Sequence, residues 1–180
     1  MIPFIPNRLI LFLSLCALFS SGSVMAAEYA HEITAEEMTF AWTVNGANLD
    51  IKLSAKTAGW VAVGFNPSKK MKDANIIIGY VKNYTVVISD EFGSRKTAHR
   101  EDTHDGGEEN VFNKSGSEKK GITTLEFSIP LNSGDIKDTA ILLNGETTVI
   151  LAYGPDVDSF RTRHIFRTSK TVNLSTGANK

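Results

Sequence analysis

Gly59-Trp60-Val61-Ala62-Val63-Gly64-Phe65 is the stretch that decides the architecture. Two-residue alternation puts Trp60, Ala62 and Gly64 on one face and Val61, Val63 and Phe65 on the other, as in a β-strand. Gly64 leaves room for a neighbouring backbone or a flat ligand. Working outward, residues 38–44 and 47–55 are two further strand-like runs split by Asn45-Gly46. That dipeptide favours positive φ and a tight hairpin. Leu49-Asp50-Ile51-Lys52-Leu53 alternates as a half-buried strand does. Residues 76–81 and 84–88 follow, joined by Lys82-Asn83, and then 122–129, 148–153 and 165–174.

Helical periodicity is nearly absent; a single turn over residues 67–72 is the best candidate. Short strands at this spacing, punctuated by Gly and Asn, predict an all-β fold, an antiparallel β-sandwich. Residues 90–121 are polar and rich in Gly, Ser, Lys and Glu, and read as a long functional or partly mobile loop. The tail 175–180 reads as frayed.

The N-terminus reads as a targeting segment. Arg8 supplies a positive start, residues 9–19 are apolar but for Ser14, and Val24-Met25-Ala26 fits a small-residue cleavage site. The expectation is a signal peptide over 1–26 and one domain over 27–180. The mature chain would be periplasmic or secreted, with no transmembrane anchor. The single cysteine, Cys16, lies in the signal core. The mature domain is thereby denied disulfides, thiolate metal sites, iron–sulfur clusters and covalent c-type haem. A net charge of −1 argues against nucleic acid as a partner.

Two loops carry candidate chemistry. The first holds Met71 between Lys69, Lys70 and Lys72. Lysines want water, so this methionine does not read as core. The second runs Ser159-Phe160-Arg161-Thr162-Arg163-His164. A thioether and an imidazole form an axial pair for six-coordinate haem iron, and lysines and arginines beside them can neutralise propionates. Trp60, Phe65, Tyr80, Tyr153, Phe160 and Phe166 offer flat walls, with Phe160 and Phe65 nearest in sequence to the two loops. His99 and His104, among Glu101, Asp102, Asp105, Glu108 and Glu109, match no tight metal motif and read as a solvated acidic loop. No nucleophile, base and orienting group stand together, so an enzyme is not expected.

The strand 59–65, Met71 with Asp73-Ala74, residues 116–118, 121–127, 130–131 and 133–135, and then Ala152-Tyr153-Gly154, Phe160, His164, Arg167 and Asn173-Leu174 resemble, in order and spacing, the DOMON family. These are exported sandwiches related to the cytochrome domain of cellobiose dehydrogenase. The resemblance implies an immunoglobulin-like sandwich holding non-covalent haem b between loops at one end. Its axial ligands fall on Met71 and His164, and Trp60, Phe65, Lys70, Phe160, Arg161, Arg163 and Phe166 are the expected cofactor contacts. The implied role is electron transfer with a redox partner, either an exported oxidoreductase or a membrane cytochrome. The alternative is a haem-free sandwich that binds carbohydrate or another small ligand.

Overall fold

The computed structural model describes residues 28–180, besides Met1. The proposed signal segment lies outside the described residues. Eleven strands run β1 (His31–Ala35), β2 (Met38–Asn45), β3 (Asn48–Ala55), β4 (Val61–Phe65), β5 (Asn75–Lys82), β6 (Thr85–Arg95), β7 (Ala98–Glu101), β8 (Phe112–Lys119), β9 (Ile122–Pro130), β10 (Thr147–Tyr153) and β11 (Phe166–Val172). One sheet has the order β1-β2-β3-β9-β8 and the other β11-β10-β4-β5-β6-β7. Every pairing is antiparallel. The two sheets pack face to face as the expected sandwich.

Alternation builds the interior. Leu49, Ile51, Leu53 and Ala55 point inward from β3, and Val61, Val63 and Phe65 do so from β4. They meet Phe40 and Trp42 of β2, both fully buried, whose rings stack at 4.8 Å. Each such side chain contributes about 1.5–3 kcal/mol by leaving water. The Trp42 indole N–H donates to the Leu174 carbonyl at 2.8 Å, which ties the chain's end to the core.

Several expectations need correcting. Residues 90–121 are not a loop: β6 runs on to Arg95, and β7, a short 3-10 turn (Asp102–Asp105) and β8 follow. Their composition is polar because β7 and β8 are edge strands, with one or both faces in water. Residues 67–72 form no helix; Ser68 N–H bonds the Lys72 carbonyl at 2.8 Å, and Lys69 and Lys72 make an isolated bridge. The β5–β6 turn falls on Asn83 and Tyr84, both at positive φ (50° and 64°), one residue later than the sequence suggests. The tail is not frayed, since it folds back to pair Val172 with Asn179. β1 escaped notice altogether. His31 belongs to it, and its ring tilts against Trp42 at 5.5 Å.

Candidate functional site

The six-stranded sheet is buried on both faces at β4. Its inner face joins the sandwich core, while Trp60, Ala62 and Ile78 form a separate apolar patch on the outer face with Tyr80, Ala152 and Phe160. Above that patch lies a trough of about 790 Å³, a size typical of cofactor sites. Gly64, Ile76 and Ile150 continue its floor. The space that Gly64 leaves is taken by the Ile150 and Ile76 side chains, whose carbons come within 2.7–3.1 Å of where its Cβ would sit.

Two connections wall the trough. One leaves β4 and carries Met71; the other leaves β10 and carries His164. β4 and β10 are antiparallel neighbours, Val61 facing Tyr153 and Phe65 facing Val149. The connections therefore depart at opposite ends of β4, with the trough lying along the strands between them. The site is on a sheet face and not between loops at one end of the sandwich, as the resemblance implied.

Backbone contacts hold each wall. On the methionine side, the Asp73 N–H donates to the Gly93 carbonyl at 2.7 Å, and the Gly93 N–H donates to Ala74 O at 2.9 Å. The Met71 carbonyl passes so close to Gly93 that a Cβ there would sit 1.6 Å from it. Lys70 and Asp73 take positive φ (57° and 65°) to make the turn. The Ser68 hydroxyl donates to Asp73, holding that carboxyl below its usual range. On the histidine side, the Trp60 indole N–H donates to Thr162 Oγ1 at 2.9 Å, and the Gly154 N–H donates to Trp60 O at 2.9 Å. The indole lies over Gly154, where a Cβ would come within 2.3 Å of Nε1. Phe160 closes this end against Tyr80, ring centroids 4.8 Å apart.

Burial, reinforced by Arg167 and Arg163, lowers the pKa of His164. A neutral imidazole keeps a nitrogen lone pair to donate to a metal. Lys70, Lys96, Arg161, Arg163 and Arg167 also line the trough. Among the described residues none of these five makes an ion pair. An apolar floor with unpaired cations suits a flat apolar molecule that carries anionic groups.

The structure thus brings Trp60, Lys70, Met71, Phe160, Arg161, Arg163 and His164 to one cavity. It does not bring Phe65 or Phe166. Phe65 is fully buried between the sheets, edge-on to Phe40 at 6.2 Å. Phe166 stacks on Tyr153 at 5.1 Å, also on the inner side. Phe65 was chosen for nearness in sequence to a ligand loop and Phe166 as a flat wall, whereas strand alternation turns both away. Arg167, next to Phe166, faces the trough instead. Lys96 and His99 were missed as trough residues. His99 Nδ1 bonds Glu91, a buried carboxylate on β6. Pairing Ile76 with Glu91 across β5 and β6 puts Glu91 on the trough face, a register that composition alone does not reveal.

The fold has known counterparts. The cytochrome b domain of pyranose dehydrogenase from Coprinopsis cinerea superposes with a TM-score of 0.63 at 12% identity, covering 81% of this chain and 82% of that one. The cytochrome domain of Myriococcum thermophilum cellobiose dehydrogenase gives 0.55 at 13% identity, covering 78% and 76%. In sequence, the chain is 30% identical over 112 residues to human DBH-like monooxygenase protein 1, covering 62% of this chain and 18% of that protein. It is 27% identical over 124 residues to the mouse DOMON domain-containing protein FRRS1L, covering 66% and 39%. The chain therefore spans well under half the length of these relatives. The model of the DOMON domain matches residues 34–154, which takes in Met71 and stops before His164. This chain belongs to the DOMON domain family.

Proposed function

We propose that this protein is a b-type cytochrome of the exported compartment that carries electrons and catalyses no reaction of its own. The observation that supports this most is that Met71 and His164 both line one apolar trough rimmed by unpaired cations. The likeness to two cytochrome domains in fold points the same way.

The residues fit haem b. Met71 Sδ and the neutral imidazole of His164 would hold its iron. Trp60, Ala62 and Ile78 would pack on the macrocycle and exclude water, and Phe160 would cover its edge. Lys70, Arg161 and Arg163, with Arg167 and Lys96, would meet the propionates. Haem held this way supplies a one-electron ferric/ferrous couple, and thioether ligation raises its potential. With both donors supplied by the chain, the group would serve electron transfer and would offer no position to a substrate. The redox partner would be an exported oxidoreductase or a membrane cytochrome. Among the described residues no helix is long and apolar enough to cross a membrane.

An absorption spectrum of the purified protein, with and without added haemin, tests the reading. A low-spin six-coordinate spectrum, with haem extractable by acid–acetone, is expected. A colourless protein that ignores haemin would favour the haem-free ligand-binding alternative.

A further inference from the structure

A second cluster of ionisable groups lies on the other side of the six-stranded sheet, away from the trough. Asp90 is on β6, Asp102 begins the 3-10 turn after β7, and Asp138 comes from the connection between β9 and β10. One oxygen from each carboxylate can be chosen so that all three lie within 4.8 Å of one another. Asp90 is 4% exposed and Asp102 1%.

Buried carboxylates are ordinarily paired or hydrogen-bonded, because an unmatched charge out of water is costly. Here they are left open. Both oxygens of Asp102, Oδ1 of Asp90 and Oδ1 of Asp138 are buried without a partner. The remaining oxygens are clasped: the Asn110 N–H donates to Asp90 Oδ2 at 2.8 Å, and the Ser133 hydroxyl donates to Asp138 Oδ2 at 2.7 Å. One oxygen held and the other left free is how ligating carboxylates are oriented around a metal. Asn110 Oδ1, beside Asp90, is likewise buried and unpartnered.

Other charged groups do not neutralise the cluster. Asp135 adds negative charge at Asp102 and Asp138, Glu109 at Asp90 and Glu91 at Asp102; only Lys137 opposes them at Asp102. Lys137 makes no ion pair with the three and instead places its ammonium 5.3 Å from the Phe92 ring centroid. Burial foremost, helped by the neighbouring acids, pushes Asp90 up to about 8 and Asp102 to about 7.

We infer that Asp90, Asp102 and Asp138 form a calcium site that clamps β6 to the 102–110 and 131–141 segments. An all-oxygen, carboxylate-rich donor set selects a hard divalent cation. Three side chains from separated segments, completed by waters and neighbouring carbonyls, suit the larger, less regular calcium shell better than magnesium's strict octahedron. The sequence does not announce this site, since its ligands lie on three separate segments and only Asp102 stands in the acidic loop.

The test uses the full chain as purified, stripped with a chelator and then titrated with calcium chloride. Calorimetric titration should show one site. Calcium at about a hundredfold over Kd should raise the melting temperature by about 5–10 °C. Magnesium at equal concentration should do much less. Asp102→Asn and Asp138→Asn should keep the β-sheet circular dichroism and lose the shift. Absence of binding heat and of a melting shift in the wild type would overturn the inference. So would a shift that survives in the Asp102→Asn/Asp138→Asn double variant. An equal response to magnesium would overturn the choice of calcium. None of these readouts depends on haem.

Discussion

Asp90 and Glu91 are adjacent on β6 and belong to opposite electrostatic regions. Glu91, opposite Ile76, faces the outer trough and bonds His99 among five unpaired cations. Asp90, opposite Ile77, faces inward and joins two further aspartates. A net charge of −1 conceals this segregation. A strand reverses its side chains at every residue, so one element can support a cation-rimmed anion receptor on one face and a carboxylate cluster on the other. Only the charge of Glu91 reaches across to Asp102, as the smallest of the influences on it, so the two regions should respond nearly independently to substitution.

The strongest way to break this comparison is at the two proposed ligands in the trough. His164→Ala should weaken haem binding by at least about 100-fold, since even outer-shell partners of a metal ligand are worth about 10–100-fold. Its calcium response should stay intact. Met71→Leu should retain haem and bind carbon monoxide readily in the ferrous state, where the wild type does not. Haemin titration and carbon monoxide difference spectra read both. Wild-type spectra from both variants would remove Met71 and His164 as ligands and turn attention to His99, which lines the same trough.

Next in size is Gly93→Ala. The new methyl would meet the Met71 carbonyl, which is backbone and has no rotamer through which to yield. A loss of about 1–3 kcal/mol in stability is expected, as for other overpacked sites. The Met71 loop should move with it, so the haem spectrum should turn partly high-spin. A wild-type spectrum together with a wild-type melting temperature would show that the loop is not wedged against β6.

How far the two regions were legible in the sequence follows from the same geometry. The sandwich was readable because Leu49–Leu53 and Val61–Phe65 alternate cleanly and the turns carry Asn or Gly. Met71 and His164 do line one cavity, and they were singled out through the family resemblance more than through the cations beside them. β8 was not readable, since Phe112–Lys119 is an exposed edge with hardly any buried side chain. The partition of Phe65 and Phe166 from Trp60 and Arg167 was in fact written in the alternation, and for Phe65 nearness in sequence was given too much weight. The acid cluster and the His99–Glu91 pair depend on strand register and on long connections, which a local pattern cannot carry.

A smaller effect separates the two neighbours on β6. Asp90→Asn should abolish the calcium response and leave the haem spectrum unchanged. It should also make the chelator-treated protein more stable at neutral pH, by about 1 kcal/mol or more, because it removes a buried carboxyl that must take up a proton on folding or stay charged out of water. Glu91→Gln should do the reverse: calcium still raises the melting temperature, while the trough changes through His99. Melting curves and spectra of the two variants, side by side, suffice. A loss of calcium response in Glu91→Gln would show that the sheet does not insulate its faces.

The finest division falls on Phe166 and Arg167, adjacent on β11 and again on opposite faces. Phe166 stacks on Tyr153 inside, whereas Arg167 lines the trough and lies near enough to His164 to lower its pKa. Phe166→Leu should lower stability by about 1 kcal/mol, an ordinary cost for a change of shape in a packed site, with haem affinity unchanged. Arg167→Gln should leave stability within about 0.5 kcal/mol of wild type, as surface substitutions do. It should weaken haem binding about two- to fivefold, the range of a solvent-exposed ion pair. Raising the salt concentration should erase that difference, because screening acts on exposed charges and not on the apolar floor. Haemin titrations of wild type and Arg167→Gln at low and high salt decide the matter. Equal affinities at low salt would mean that Arg167 does not meet an anionic group, and the cationic rim would then rest on Lys70, Lys96, Arg161 and Arg163.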